Sequence, residues 1–200
     1  MIPFVKDFIE KNSMNKRVLD LGCGDMNNGS YCILNGADSV VFVDINKCDD
    51  RILRFDLEKD IPLKDESFDV VLLVEVVEHI DRQIGLLNEV YRLLKSGGLV
   101  IITTPNILSW YSRIYFAFVG KLIQFHNKNY EDIGHINPFI PSIIVPLIEK
   151  KFKIVCQVYH NGVFPLLSFK VFSCRFTAQT LILVLRKDIL RHTKVCGFQR

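Results

Sequence analysis

The sequence predicts an α/β domain built around a doubly wound, mostly parallel sheet. Three observations carry that reading. Short apolar runs alternate with stretches of helical periodicity. The first clear strand, Arg17–Leu21, runs straight into Gly22-Cys23-Gly24. Asp44 ends the second strand, and Asp56 follows the third at the carboxyl edge of the sheet, where open α/β sheets bind ligands.

The elements follow in order. Pro3 to Lys11 forms a helix with proline near its start. Arg17–Leu21 is strand one, ended by Gly22, and a short helix around Ser30–Asn35 is stopped by Gly36. Ser39–Asp44 is strand two, and strand three is short, around Ile52–Phe55. Phe68–Val74 is strand four. A helix over Arg82–Leu94 buries Leu86, Val90, Leu93 and Leu94. Ser96-Gly97-Gly98 then turns the chain into strand five, Leu99–Thr103. Ile107–Phe125 reads as an amphipathic helix. Its apolar face carries Ile107, Trp110, Tyr111, Ile114, Tyr115, Phe118 and Leu122, opposite Ser109, Ser112, Arg113 and Gln124. A polar loop over His126–His135 precedes a helix over Pro141–Lys151. Phe152–Tyr159 and Thr180–Arg186 are the last two strands, and Asn161–Gln179 between them is apolar without a clear period.

A length of 200 residues suits one domain spanning residues 1–200. The composition, 49% hydrophobic and 24% charged, is globular. A net charge of +3 is too mild to argue for nucleic acid, and Arg186, Lys187, Arg191, Lys194 and Arg200 read as a solvated tail. Cys23, Cys32, Cys48, Cys156, Cys174 and Cys196 form no CxxC pair, and the first dozen residues carry too much charge for a secretory signal. Free thiols in a reducing cytoplasm are the expectation. The longest apolar run, Ile107–Phe125, is interrupted by Arg113 and Lys121, so no membrane span is expected.

Four motifs carry chemistry. In Val18-Leu19-Asp20-Leu21-Gly22-Cys23-Gly24-Asp25, glycine lets the backbone pass close to a ligand. A dinucleotide site would want a third glycine at Asn27 and would disfavour the anionic Asp25. A cationic sulfonium ligand would welcome these acids. Asp44 stands twenty positions after Gly24, placed to accept both hydroxyls of a ribose. Asp56-Leu57 can meet an adenine amino group, or Asp56 can simply cap a turn. Glu75-Val76-Val77-Glu78-His79-Ile80 puts Glu75 at the same sheet edge, with His79 a base or a packing residue.

These four, followed by LKSGGLVIITTPN, resemble the class I S-adenosylmethionine (SAM)-dependent methyltransferases. The likeness is closest to the group of small-molecule, quinone and glycan O-methyltransferases, and it runs from about Arg17 to Arg186. GHINPFIPSIIVPLIEKKFKIV looks like the stretch such enzymes place before strand six. The resemblance implies a Rossmann-like, seven-stranded sheet in the order 3-2-1-4-5-7-6 with strand seven antiparallel. It implies SAM as cofactor, held by Asp20, Gly22, Gly24, Asp44, Ile45, Asp56, Leu57 and Glu75. Two departures stand out. Met26 occupies the place of the family's third glycine, and only twelve positions separate Asp44 from Asp56, where relatives fit a helix.

Methyl transfer from a sulfonium is an in-line displacement, so positioning of the acceptor dominates. A hydroxyl acceptor also benefits from a base, for which His79 and His135 are the candidates. Glu75, Glu78, His79 and His135 also resemble the metal ligands of small-RNA 2′-O-methyltransferases and some quinone O-methyltransferases. The aromatic segment Trp110–Phe125, with Phe139 and Phe164, could roof an apolar acceptor pocket or pack on the sheet. A small, glycan or lipid-like acceptor is expected, and DNA is not. The alternatives are a non-catalytic SAM-binding partner protein and an NAD-linked oxidoreductase.

Overall fold

A computed structural model describes residues 1–46, 49–125, 134–164, 169–170 and 172–188. The elements in chain order are α1 (Pro3–Asn12), β1 (Arg17–Leu21), α2 (Asn27–Leu34), β2 (Ser39–Asp44), β3 (Ile52–Arg54), β4 (Phe68–Val74), a 3-10 turn (Val77–His79), α3 (Gln83–Leu93), β5 (Leu94–Pro105), α4 (Trp110–Val119), α5 (Pro141–Ile148), β6 (Phe152–Phe164), β7 (Phe169–Lys170) and β8 (Ala178–Lys187).

The strands form one sheet in the order β3-β2-β1-β4-β5-β8-β6-β7. β3, β2, β1, β4 and β5 are parallel, and β8 runs antiparallel between β5 and β6. With the two-residue β7 set aside, this is the expected seven-strand order. β7 pairs only with the end of β6 and falls inside the stretch whose sequence has no clear period.

Side chains alternate between two cores because successive strand residues point to opposite faces. Leu19, Leu21, Val43, Val71, Leu73, Val100, Ile102, Leu181, Leu183 and Leu185 pack on one face with Leu86, Val90 and Leu93 of α3 and Ile144 and Ile148 of α5. Val18, Val70, Leu72, Ile101, Ile182 and Val184 pack on the other with Val5, Phe8 and Ile9 of α1 and Cys32 of α2. Phe139 is 1% exposed in the first core, so it packs and does not roof a pocket.

Three expectations are corrected. The turn at Ser96–Gly98 is a bulge within β5: Phe68 pairs with Leu94, and the next partner of β4 is Leu99, opposite Val70. α4 stops at Gly120, whose φ of 70° lets its amide close onto the Phe116 carbonyl at 2.8 Å. The helix therefore does not reach Phe125. Its burial also departs in part from the expected face: Ser109 and Ser112 are buried and Ile114 and Phe118 exposed, while Trp110, Tyr111 and Tyr115 are half-buried; Phe116 and Val119 are exposed as well. Lys187 is not in a solvated tail. Its ammonium is buried against the Leu94 carbonyl (2.7 Å) and the Glu66 carboxylate (2.9 Å). Arg191, Lys194 and Arg200 lie outside the described residues, as do Cys48 and Cys196, His126 and the side chain of Phe164. Among the described residues, Cys32, Cys156 and Cys174 are free thiols.

Candidate functional site

The site grows from the end of β1. Gly22 and Cys23 donate their amides to the Val43 carbonyl at 2.8 and 3.1 Å, which folds the glycine turn back over β2. Gly22 has φ +66°, and a Cβ there would lie 2.6 Å from Val76, so no other residue fits. Gly24 donates its amide to the Asp44 carboxylate at 2.9 Å, and the other Asp44 oxygen accepts from the Asn46 amide at 2.8 Å. The glycine turn and the end of β2 are thus clamped by one carboxylate.

Met26, at the third glycine position, has φ +61°. Its backbone takes the left-handed conformation that glycine favours, at a cost of about 1 kcal/mol or more. The side chain is buried beside Cys23, Phe42 and Ile52, which offsets that cost. The loop therefore keeps its turn without the glycine.

Asp20 does not face the cavity. It is 1% exposed and accepts the Gly29 amide at 2.9 Å, holding the first turn of α2. Burial pushes its carboxyl up to about 7, against the pull of that hydrogen bond.

A cavity of about 410 Å³ opens over the carboxyl ends of β1, β2 and β4. Its walls include Gly22, Asp44, Ile45, Asp56, Leu57 and Glu75, six of the eight residues expected to hold the cofactor. Gly24 sits behind Asp44, and Asp20 sits under α2. Asp56 lines the cavity and caps its own turn through the Glu58 amide at 3.0 Å. That hydrogen bond, with help from Lys59, holds its carboxyl below the usual range. Glu58 and Ile80 also line the cavity, and neither is singled out as a cofactor residue by the sequence.

Glu75 has φ +55° and divides this cavity from a second of about 420 Å³, whose walls include Ile2, Asp25, Asn28, His160 and Thr180. Thr103 on β5 fixes Glu75. Its hydroxyl accepts the Glu75 amide at 3.0 Å and donates to the Glu75 carboxylate at 2.7 Å. His160, 85 residues downstream, could be placed here only by knowing the β6–β8 register, which sets it opposite Thr180.

Beside Glu75 lies a cluster of Glu78, His79 and His135, whose ligand-capable atoms are all within 4.8 Å of one another. The 3-10 turn after β4 buries Glu78 completely, with the Thr104 hydroxyl and the Glu75 carboxyl as its polar side-chain neighbours. Burial, then the neighbouring Glu75 charge, pushes the Glu78 carboxyl well above the usual carboxylate range. His79 Nδ1 lies 3.0 Å from the Gly134 carbonyl, and His135 Nδ1 lies 3.0 Å from the Gln124 carbonyl. A carbonyl only accepts, so each Nδ1 carries the hydrogen, and Nε2 is the nitrogen that holds a lone pair when the ring is neutral. Burial lowers the His79 pKa, which keeps its ring neutral. The backbone carbonyl of Glu78 accepts the amides of Ile136 and Asn137 at 3.1 and 3.0 Å, which docks the His135 segment onto the turn.

The model of the methyltransferase-domain family matches residues 1–144. The chain belongs to the class I SAM-dependent methyltransferases. As the cofactor of this family, SAM suits the cavity: the carboxylates of Asp44, Asp56 and Glu75 complement a ribose, an adenine amino group and a cationic sulfonium. This methyltransferase is 32% identical over 133 residues to a ubiquinone biosynthesis O-methyltransferase of Pelagibacter ubique, covering 58% of the chain and 54% of the relative. It is 31% identical over 102 residues to a probable SAM-dependent methyltransferase of Mycolicibacterium smegmatis, covering 46% and 39%. The chain thus matches about half or less of the length of these curated relatives. A crystal structure of a SAM-dependent methyltransferase from Archaeoglobus fulgidus shares the fold, with a TM-score of 0.69, 24% identity, and coverage of 92% and 91%.

Proposed function

We propose that this chain, acting as one domain over residues 1–200, transfers the methyl group of SAM to a hydroxyl of a small, glycan or lipid-like acceptor. In this reading Gly22, Gly24, Asp44, Ile45, Asp56, Leu57 and Glu75 hold the cofactor, while Asp20 shapes the loop from behind. The observation that carries the hydroxyl assignment is Glu78, fully buried and within 4.8 Å of ligand-capable atoms of two imidazoles, each with its Nδ1 turned to a backbone carbonyl. An isolated buried carboxyl is costly unless it is protonated or paired with a cation. Glu78, His79 and His135 would hold a divalent ion, with Glu75 adding negative charge beside it. Such an ion, when bound, lowers the pKa of a coordinated hydroxyl. That several curated relatives are named ubiquinone biosynthesis O-methyltransferases also supports oxygen as the acceptor atom.

The acceptor oxygen attacks the methyl carbon, the carbon–sulfur bond breaks, and its electron pair stays on sulfur. With no ion bound, the hydroxyl proton goes to Nε2 of His79 or His135, whose Nδ1–H contacts fix the tautomer for that task; an ion held on those same nitrogens would instead acidify the hydroxyl, and its proton would leave to water. The non-catalytic alternative rested on the missing third glycine, and Met26 reproduces the backbone that the glycine would supply. The test is methyl-labelled SAM with quinone, glycan and lipid extracts, with and without a chelator. Labelled product that disappears with chelator supports the full reading. Labelled product that survives chelator removes the metal and leaves the histidine base. No label in any extract favours the binding-protein reading.

A further inference from the structure

We infer that α4 and the adjoining segment 172–176 form a docking surface for an anionic lipid bilayer. The starting point is the exposure of the second half of α4. On this helix the buried side chain is Ser112, preceded by the buried Ser109, and Trp110, Tyr111 and Tyr115 are half-buried, while Ile114, Phe116, Phe118 and Val119 face outward. Phe118 is 86% exposed, and Phe116, Ile114 and Val119 are about half exposed. Phe172 is 87% exposed and Phe176 53%. The two segments form one surface. The Trp110 amide donates to the Phe176 carbonyl at 2.7 Å, and the Arg113 guanidinium lies 5.4 Å above the Phe176 ring. Scattered exposed apolar residues need no explanation, but a contiguous patch of this kind marks an interaction surface.

Charge selects the occupant. Residues 1–89 carry ten Lys/Arg against eighteen Asp/Glu, whereas residues 90–200 carry fifteen against four. The chain's mild net charge of +3 thus hides a strong asymmetry. No Asp or Glu occurs between residues 90 and 130 or between 150 and 187, the two stretches that supply this surface. Arg113, Lys121 and Arg175 flank the rings. Long cationic side chains around aromatic and aliphatic residues fit an interface where rings enter the acyl boundary and ammonium or guanidinium groups meet phosphates. A second copy docking through the same patch would place like charges face to face. The aliphatic Ile114 and Val119 among the rings favour acyl chains over stacked bases. Among the described residues, no helix is long and apolar enough to cross a membrane, so the contact would be peripheral.

The surface also adjoins the site. α4 leaves β5 just past Thr103, which holds Glu75, and the Gln124 carbonyl beyond α4 holds His135. A bilayer seated here would lie beside the acceptor side of the cavity. The inference does not depend on methyl transfer, and its test reads binding alone.

The test is vesicle flotation of the full chain with phosphatidylcholine vesicles and with vesicles containing phosphatidylglycerol. Expected is co-flotation with the anionic vesicles, weaker on neutral ones and reduced by salt. A Phe118→Ser/Phe172→Ser double variant should lose at least tenfold in vesicle affinity. Lys121→Glu should lose binding to anionic vesicles selectively. Calorimetry of SAM with each variant checks that the fold is kept. Absence of flotation for the folded wild-type chain would overturn the inference. So would flotation that the double variant leaves unchanged, or a dimer that the double variant dissolves in a chain that does not float.

Discussion

The hydroxyl of Thr103 both accepts the amide of Glu75 and donates to its carboxylate. This closed pair of hydrogen bonds holds Glu75 in a left-handed backbone at the edge of the cofactor cavity. Thr103→Val keeps the shape of the fully buried side chain and removes both bonds. The Glu75 amide keeps its bond to the Thr103 carbonyl at 3.1 Å, so the cost is chiefly that of the bond to the charged carboxylate, about 1.5–3 kcal/mol. A fall in Tm with several-fold weaker SAM binding is expected by calorimetry. A stable variant with unchanged affinity would mean that Glu75 needs no support.

Asp44 clamps Gly24 and lines the cavity, so Asp44→Ala should loosen the glycine turn and remove a ribose acceptor together. Binding of SAM and of S-adenosylhomocysteine should fall by about ten- to a hundredfold, corresponding to roughly 1.5–3 kcal/mol. The wild-type chain should bind NAD far more weakly than either ligand. Calorimetry with all three ligands decides both points.

The carboxyl of Asp20 titrates near 7 in the folded state and near 4 when unfolded. Between those values the folded protein holds a proton that the unfolded chain has released. Stability from this group is therefore highest at low pH, falls as pH rises from about 4 to about 7, and is level above that. Asp20→Asn keeps an acceptor for the Gly29 amide and lacks the titration. Its stability relative to wild type should improve across that window by up to about 1.4 kcal/mol per pH unit. Denaturant unfolding at several pH values reads the difference, and parallel curves for the two proteins would sink the assignment.

Met26→Gly sets two effects against each other. Removing left-handed strain gains about 1–2 kcal/mol. Deleting a buried methionine from its contacts with Cys23, Phe42 and Ile52 costs about 2–5 kcal/mol. The lost packing outweighs the relieved strain, so the variant should be less stable while its SAM affinity is kept. Denaturant unfolding and calorimetry measure the two quantities. A variant more stable than wild type would show that the packing around Met26 is loose.

Glu78→Ala and His135→Ala should each lower methyl transfer by about a hundredfold or more, with SAM affinity retained. Gly134→Ala should act in the same direction more weakly. Its φ of 74° strains any side chain, and the new Cβ would lie 3.5 Å from His79 Nδ1. Turnover with labelled SAM and binding by calorimetry separate these effects from a lost cofactor site.

The strands β1, β2 and β4 match their expected bounds because each apolar run is closed by a residue that cannot continue it or by the sheet edge itself. Gly22, Asp44, Asp56 and Glu75 are legible for the same reason: they stand where strands end, and strand ends converge. The outward face of α4 is not legible, because periodicity reports which residues share a face and not which way that face turns. The small Ser109 and Ser112 are buried, while Phe116 and Phe118 are left outside. The approach of His135 to Glu78 does not follow from spacing. It depends on two backbone hydrogen bonds to the Glu78 carbonyl across more than fifty residues, and only family resemblance joins the pair.

Because the side chain of Glu75 is a wall of both hollows, their occupants are not independent guests. Any reorientation or loss of charge at that carboxylate on filling one hollow is felt in the other. Thermodynamic reciprocity then requires that each occupant change the other's dissociation constant by the same factor. In the proposed reaction, conversion of a sulfonium to a neutral thioether would remove a charge beside that wall, so the affinity of the far hollow would be set anew with each turnover.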